Sequence, residues 1–545
     1  NVRTNAFDLR NSSFVTPKNR LRGESAYVVG APNGDLRVVN GTMTFCAPGT
    51  NTWDLKANEI FLNESSGRGL ANHVLVRVKE VPIFYTPVLG FPLDDRRLTG
   101  FLFPSYSVGT TSGTEILTPF YWNLDPQYDL LLQPRFMTSR GTALGVHGRY
   151  LFEDLSLLDF KTEQLPDDKL TGSDRHISRV AMSSDPSKAV VWNATYEDAS
   201  DATYQTDLDN FANVSDEHQL TSSISAAVRG DNWTASWIAD RVDVIDPTVT
   251  GDAVKFSRQP SLTGNWAQIG ERYTLSASGD LTEFTRPTTG LADDEPSEGR
   301  RFSSDLKAER PYTASYGSLV PAALGFARWS EATTSTGTQD NSYFTFGASV
   351  DGNLVFEKAG REGSLHALIP RAKLLVREPN SDPTQERFDT PNPEDISTDT
   401  VSQIFLDNPI SGGDFVGDTR ELALSLTSRG RNADGIETYR ITAGRTLFLA
   451  DRDVTLSGTP ETSDQGPLVI ESTVRLGEHT VWNTQYRTIA DGDTMDTATN
   501  EVKYRTSDTS YITNRMVWNA EEATRTDLYI SQQFGMQWRG LFGLQ

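Results

Sequence analysis

The chain has 545 residues, of which 37% are hydrophobic, and its mean hydropathy is -0.44. No window approaches the ~18 consecutive apolar residues that a membrane-spanning helix requires, which excludes helical spans. With 73 acidic and 50 basic residues the formal net charge is -23, which argues against nucleic-acid binding and against attraction to an anionic membrane surface.

A β-barrel, in which the side chains of each strand alternate between two surroundings, is a second kind of structure that can span a bilayer. The wall of a membrane barrel turns alternate residues towards lipid and water, so its strands contain no long apolar run. The 26 Phe, 17 Tyr and 10 Trp favour such a barrel, because amphipathic rings suit the membrane interfaces, although a soluble β-core would use them equally well. Six scattered His and one Cys form no zinc-type cluster, and we expect no metal and no cofactor.

Residues 1–85 are predicted to form a small β-domain, a sandwich or an open jelly roll. Turn signals separate eight short predicted strands: Ala6–Leu9, Ser13–Val15, Ser25–Val29, Leu36–Val39, Gly41–Cys46, Thr52–Ala57, Glu59–Leu62 and His73–Val78. Apolar residues at alternate positions would share one interior, which the sequence leaves either filled as a core or open as a groove. These residues are Tyr27, Val29, Leu36, Val38, Met43, Phe45, Val74, Val76 and Val78.

Residues 86–99 are predicted to form a proline-rich connector. Pro82, Pro87 and Pro92 lie close together around its start. Each proline removes a ladder donor and stiffens the backbone. The pattern predicts a rigid joint between two β-domains.

Residues 100–545 are predicted to form a large antiparallel β-barrel of about 22–26 strands, at ~17 to 20 residues for a strand with its share of loop. The fold class is therefore all-β. The alternation is clearest in Asp527–Arg539, which we predict to be the closing strand. One face of it carries the apolar side chains Leu528, Ile530 and Phe534. A soluble sandwich would also alternate, but a sandwich of this many strands without subdivision is implausible.

Motifs around the junction point to a family. They are Val81–Tyr85 (VPIFY), Phe91–Ser107 (FPLDDRRLTGFLFPSYS) and Thr118–Gly141 (TPFYWNLDPQYDLLLQPRFMTSRG). These stretches resemble the LptD family of lipopolysaccharide-assembly proteins, also called organic-solvent-tolerance proteins. Gly41–Ile60 is similar to that family's last jelly-roll strands, and Phe405–Asn408 with Ser411–Asp414 is similar to its large loop.

The resemblance implies lipopolysaccharide transport and insertion at the cell outer membrane, with the first domain in the periplasm. Lipid A acyl chains would move along a groove in the jelly roll while the sugars pass through the barrel lumen. This is physically coherent, because an amphiphile needs an apolar groove for its acyl chains and an aqueous channel for its saccharide. The lipid groove would be lined by Tyr27, Val29, Leu36, Val38, Met43, Phe45, Val74 and Val76.

The resemblance also implies a lateral gate between the first and last barrel strands. Pro104 and Pro119 fall in the first two predicted strands, where neither can donate to the ladder. Considered alone, each proline marks a strand end or a bulge. Together with the resemblance they indicate a weak seam, which Leu528, Ile530 and Phe534 would close from the last strand.

Cys46 matches the jelly-roll cysteine that the family bridges to a cysteine near the C-terminal end of the barrel. The sequence contains no second cysteine. We expect further residues, including partner cysteines, ahead of Asn1 and near Asn519–Arg525. The competing interpretation is a lineage without the bridge.

The resemblance implies protein partners too. A barrel of this width would leak unless it were filled, and no separate plug domain is predicted. The lipoprotein LptE would provide the plug, and the periplasmic bridge protein LptA would join the jelly roll by strand addition.

Two other classes of protein fit the sequence less well. A porin or receptor-type uptake barrel shares the composition and the alternation, but it gives no reason for the first domain or the connector. An enzyme is disfavoured, because the six histidines have no nucleophile motif such as G-x-S-x-G near them.

Overall fold

The computed structural model describes most of the chain. The described residues are 6–15, 22–44, 46, 52–63, 65–93, 97–102, 104–216, 218–288, 290–378, 387–389, 400–410, 412–455, 459–490, 492, 494–520, 524–534 and 538–544. Most of them are in strands, and the strands form two antiparallel sheets.

The first sheet is a meander of six strands in chain order. The strands are β1 (Phe7–Val15), β2 (Arg22–Gly30), β3 (Leu36–Thr44), β4 (Trp53–Asn63), β5 (Arg68–Val78) and β6 (Val81–Pro92). They are fewer and longer than the eight predicted strands, because β1, β3 and β4 each join two of them.

A row of residues across this sheet explains the difference. The register places Asn11, Asn40 and His73 in that row, each with a φ between 46 and 50 degrees. A left-handed residue interrupts the alternation of side chains without ending the strand. Val38 and Met43 are therefore both buried, although they are an odd number of residues apart.

One apolar core lies on one face of the first sheet. Burial of each of its larger aliphatic side chains contributes roughly 1.5–3 kcal/mol. Its buried members are Val28, Val38, Met43, Leu55, Ala57, Ile60, Leu62, Ala71 and Val74.

The predicted domain boundary at residue 85 lies inside β6. That strand pairs with β5 from Val81 to Pro92, so the described link between the sheets begins at Leu93. The prolines that suggested a connector are tolerated in β6 because it is an edge strand, pairing with β5 alone among the described residues.

The second sheet contains 27 strands. They are β7 (Gly100–Phe101), β8 (Ser105–Gly109), β9 (Gly113–Leu117), β10 (Phe120–Asn123), β11 (Tyr128–Met137), β12 (Gly141–Leu151), β13 (Leu157–Asp168), β14 (Ser173–Ser183), β15 (Val190–Ala199), β16 (Gln219–Arg229), β17 (Trp233–Val244), β18 (Ser257–Ile269), β19 (Thr274–Thr285), β20 (Glu298–Glu309), β21 (Tyr312–Ala314), β22 (Gly317–Thr334), β23 (Gly337–Leu354), β24 (Phe356–Ala359), β25 (Leu365–Arg377), β26 (Thr419–Arg431), β27 (Glu437–Phe448), β28 (Val469–Leu476), β29 (Thr480–Thr488), β30 (Met495–Ser507), β31 (Ser510–Asn519), β32 (Arg525–Phe534) and β33 (Trp538–Leu544).

Helical structure in the described residues is short. There is one α-helix, α1 (Tyr204–Leu208), and there are 3₁₀ turns at Gly251–Ala253, Arg361–Gly363 and Gln403–Phe405. None of these helices has the length and hydropathy needed to cross a membrane.

Strand order in the second sheet follows the chain from β10 to β33, and β33 neighbours β7. β7 also pairs with β10, so the hydrogen-bonded order returns to its start. Several strands are segments of one longer strand, as where β20 and β21 both pair with β22. The expected fold class, an all-β chain with a large antiparallel barrel-type sheet behind a small N-terminal domain, is confirmed.

Neighbouring rows of the second sheet differ in polarity. Leu262, Leu281 and Phe302 are register neighbours on β18, β19 and β20, and all three are exposed. In the next row Thr282 and Arg301 are buried. A soluble sheet has the opposite arrangement, whereas a wall with lipid outside and polar groups inside has this one.

The chain divides into two compact units. The first contains Asn1–Asp185, Thr195–Leu220 and Gln533–Gly540. The second contains Pro186–Ala194, Thr221–Gln532 and Leu541–Gln545.

Candidate functional site

The core of the first sheet contains most of the predicted groove residues. Val38, Met43 and Val74 are buried in it, and Leu36 and Val76 pack against it. Phe45 lies outside the described residues. The structure thus brings five of the predicted residues to one apolar interior.

Tyr27 and Val29 are not part of that interior. Val28, the residue between them, is buried and faces Val38 in the register, so its two neighbours point to the other side of β2. The Tyr27 hydroxyl donates a hydrogen bond to the carboxylate of Asp8 on that side. The prediction that Tyr27 and Val29 line the groove is wrong. It assumed that side chains alternate without interruption along β2, but the alternation changes phase where the strands cross the row of left-handed residues.

Cys46 is buried beside Trp53. Its thiol lies 3.6 Å from the Trp53 carbonyl oxygen, and its backbone N–H donates to the Thr44 hydroxyl. This sequence contains no second cysteine, and a disulfide from Cys46 to a residue outside it stays a prediction.

Pro104 and Pro119 interrupt the first barrel hairpin at the same height. The register pairs Phe101 with Phe120 below the break and Ser105 with Leu117 above it. Between these pairs one described backbone hydrogen bond crosses, from the Leu102 N–H to the Pro119 carbonyl oxygen at 2.9 Å. The two prolines therefore divide one hairpin into the short pairs β7–β10 and β8–β9.

The predicted closing strand is wrong in its bounds. Leu528 and Ile530 lie on β32, which pairs with β31, whereas β33 neighbours β7. The prediction ran one alternating pattern through Gly535, although glycine is a residue type that weakens the interior of a strand. Phe534 is the last residue of β32, and its side chain lies outside the described part.

A long inter-strand segment in the second unit is fixed by buried charges. This anchored segment comprises the described residues 387–389, 400–410 and 412–418. Arg301, on β20, is 3% exposed and reaches two of its carboxylates. The guanidinium lies 2.5 Å from Asp389, 2.7 Å from Asp414 and 3.0 Å from Asp280 on β19.

Two lysines hold the same segment at a second point. Lys307 and Lys373 each place Nζ 2.7 Å from a carboxylate oxygen of Asp407. Burial would raise the pKa of Asp407, but these two hydrogen bonds outweigh it and hold that pKa below its ordinary value. Asp407 is therefore ionised and paired at neutral pH.

Apolar contacts complete the attachment of the segment. Val416 packs with buried side chains of β22, β23 and β25. Val401, Ile404 and Phe405 pack with Ala423 and Val469, and the Arg371 guanidinium lies 4.0 Å from the centre of the Phe405 ring. The face of β20–β27 beneath the segment is thereby covered.

A second anchored segment, residues 200–216, occurs in the first unit and contains α1. Arg175 on β14 is fully buried and holds it through two carboxylates, 2.6 Å from Asp201 and 2.8 Å from Asp207. Tyr204 of α1 is buried, and its hydroxyl donates to Glu163 at 2.7 Å. Both anchored segments thus use a wall arginine bound to two acidic side chains.

The attachment of this segment lowers the pKa of Asp201. Burial alone would raise that pKa, but hydrogen bonds from Arg175, Ser200 and Thr203 outweigh it and lower the pKa to about 2. The ionised form of Asp201 is therefore the one that the fold stabilises.

Sequence reasoning identified neither Arg301 nor Arg175. One signal was present, because Phe405–Asn408 and Ser411–Asp414 had already been matched to a large family loop. Those stretches supply Asp407 and Asp414, but their basic partners lie far away in the sequence and only the fold brings them together.

Comparison with known proteins decides the family. A family model described as LptD, LPS transport system D, matches residues 174–539. The chain belongs to the LptD family. The earlier resemblance rested on residues 41–141 and 405–414, so this match extends it through most of the second sheet.

Curated LptD relatives agree with the match. The LPS-assembly protein LptD of Alcanivorax borkumensis is 32% identical over 82% of this chain and 59% of that protein. The proteins of the same name from Pseudomonas fluorescens and Pseudomonas syringae are 29% and 30% identical, over 88% and 82% of this chain. The chain spans between 52% and 59% of the length of these three relatives.

Replacing Arg301 with alanine should release the anchored segment. It leaves the buried carboxylate of Asp414 without its cation, at a cost of about 3–5 kcal/mol, and removes the partner of the more exposed Asp389. We expect faster amide hydrogen exchange in 400–418. Arg300→Ala is the matched control, since Arg300 is exposed and pairs with Glu283; equal exchange in the two variants would contradict the anchoring role.

Acid should loosen the second anchored segment. The pKa of Asp201 is about 2 in the folded chain and about 3.9 when unfolded, so its contribution is complete above pH ~4 and is lost as the pH falls towards 2. Hydrogen exchange of residues 200–208, corrected for intrinsic rates, measures this loss. An Asp201→Asn chain lacks this carboxylate and should show a smaller pH-dependent change; an unchanged profile would count against Asp201.

Proposed function

We propose that this chain transports lipopolysaccharide across the outer membrane and inserts it there, and that it does so without catalysing a reaction. Membership of the LptD family is the observation that carries the proposal. Two features of the fold support it: an apolar interior in the first sheet and a second sheet with apolar side chains outside and polar ones inside. These suit the tails and the sugars of one amphiphile.

We infer that the first sheet lies in the periplasm and carries the acyl chains. Support comes from the row of left-handed residues, which keeps apolar side chains on one face along strands that change phase. Of the five predicted groove residues in that interior, Leu36 and Val76 are the two that are only partly buried. A passing lipid can therefore contact their side chains.

We further propose that the hairpin divided by Pro104 and Pro119 forms one side of a lateral gate, with β33 on the other side. The support is the small number of pairs that hold β7, which has two register partners in β10. A short ladder costs little to open, since each hydrogen bond contributes about 0.5–1.5 kcal/mol net.

The proposal includes two protein partners. LptE would occupy the barrel, and LptA would add a strand to the first sheet. The second inference is supported by β1, which pairs with β2 alone among the described residues and exposes Phe7 and Leu9.

Photocrosslinking tests the transport proposal. A photoreactive amino acid at Val76 should give a lipopolysaccharide adduct in cells that make this lipid, because Val76 borders the apolar interior. Phe61, exposed on strand β4, is the control position and should give little. If the chain is folded in the outer membrane and neither position yields an adduct, an uptake barrel becomes the better explanation.

A disulfide between β7 and β33 tests the gate. In a Cys46→Ser background, Phe101→Cys is combined with cysteine at each of residues 539–543, and the pair that oxidises is kept. Surface lipopolysaccharide should fall on oxidation and recover on reduction, with the barrel still folded by its heat-modifiable gel mobility. The control pair, Thr499→Cys with Val517→Cys, joins register partners in β30 and β31 and should leave transport unchanged.

A further inference from the structure

Two arginines share one buried carboxylate where the chain enters the second sheet. Asp129 on β11 is 3% exposed. Arg149 on β12 forms a bidentate pair with it at 2.9 and 2.8 Å, and Arg97, just before β7, lies 2.7 Å from the same carboxylate. The Tyr121 hydroxyl donates to Asp129 as well, at 2.8 Å.

This cluster holds more positive charge than its carboxylate needs. The bidentate Arg149 neutralises Asp129, and Asp159, the register partner of Arg149, pairs with His147 at 2.8 Å, so the Arg97 guanidinium is the charge that an incoming anion meets. The side chains of Arg97 and Arg149 are 45% and 47% exposed. Each guanidinium has five N–H donors, and the hydrogen bonds described for each use two of them.

The cluster is held in place before any ligand arrives. The Asn123 side-chain amide donates to the Arg97 carbonyl oxygen at 3.1 Å, and the Asn123 N–H donates to the Thr99 hydroxyl at 3.0 Å. Asn123 ends β10, and Asp129 is its register partner on β11. The free N–H groups of Arg149 are therefore presented by β12, and those of Arg97 by the residues just before β7, the first strand of the proposed gate.

Aromatic rings show the depth of the cluster in the membrane. Tyr128 and Tyr150 stack at 5.7 Å on the opposite face of the same two strands, and Phe152 meets Tyr150 edge-on at 4.6 Å. All three rings are more than a third exposed. Exposed aromatic rings of this kind mark the level of lipid headgroups. The arginines lie at that level, at the end of the sheet to which the first sheet is connected.

We propose that Arg97 and Arg149 form a binding site for phosphate monoesters on the saccharide of a lipid A-type glycolipid. This inference rests on the proposed transport function and assigns a point on its path. Paired guanidinium groups match the oxygens of a phosphate, and Arg97 adds the charge that a bare Arg149–Asp129 pair lacks. The site meets the phosphorylated headgroup as the glycolipid passes from the first sheet to the gate.

Binding of lipid A with and without its phosphates tests the site. The full chain in detergent is titrated with bisphosphorylated lipid A and with the same lipid after phosphatase treatment. We expect the phosphorylated lipid to bind about tenfold more tightly, the size of one charge-assisted contact. Arg97→Gln should remove most of that preference while the Arg149–Asp129 pair still holds the strands together.

A matched control distinguishes a specific phosphate site from a general effect of positive charge. Arg440, about half exposed and paired with Glu437 on β27, loses the same charge in Arg440→Gln and should keep the full preference. An equal loss in both variants would overturn the site. Displacement of lipid A by sodium phosphate, but not by sodium chloride at equal ionic strength, would reassign it to free phosphate.

Transport in cells distinguishes this inference from the function on which it rests. If the parent chain places no lipopolysaccharide at the surface, the transport proposal fails. If the parent chain transports and Arg97→Gln retains the phosphate preference, only the site is wrong. Heat-modifiable mobility of each variant shows that its barrel is folded, so loss of binding cannot be assigned to unfolding.

Discussion

A strand offers its two faces to two surroundings, and in the second sheet those surroundings differ completely. Because the side-chain period is two, a wall between lipid and a polar interior must alternate residue by residue. Leu281 and Thr282 show the result, one exposed and the other buried, next to each other on β19. The buried charges, the anchored segments and the arginine pair at Asp129 all depend on this alternation, which gathers polar groups on one face.

Holding a long segment against such a wall costs conformational entropy. Fixing the backbone of each residue costs roughly 1–2 kcal/mol, and the anchored segments contain no strand to offset that cost. Arginine suits the task because its planar fork can bond several carboxylate oxygens at once. Arg301 and Arg175 each do this with three acidic groups, and the apolar contacts of Val416 and Phe405 add to the attachment.

The sequence was informative where structure depends on short-range pattern. Alternation predicted the all-β fold, and proline chemistry located the break in the first hairpin at Pro104 and Pro119. The phase of β2 was lost because its alternation shifts between Ser25 and Val28, where β2 lies between the left-handed residues Asn11 and Asn40 of its neighbours, and the β2 sequence gives no sign of that shift. Arg301 and Asp414 are 113 residues apart, and Asp414 gives no sign in the sequence of which cation it will meet.

The divided hairpin has a mechanical consequence. β8 and β9 share five register pairs, whereas β7 and β10 share two, and those two lie at the end nearest the linking residues 97–99. Separating the strands at this end requires breaking those two pairs together with the bonds from Arg97 to Asp129 and from Asn123 to Thr99, whereas the ladder beyond the prolines has five pairs of its own. The start of the first strand is thus fastened largely by side chains and its continuation by the backbone, so the two parts of one hairpin are held by different kinds of contact.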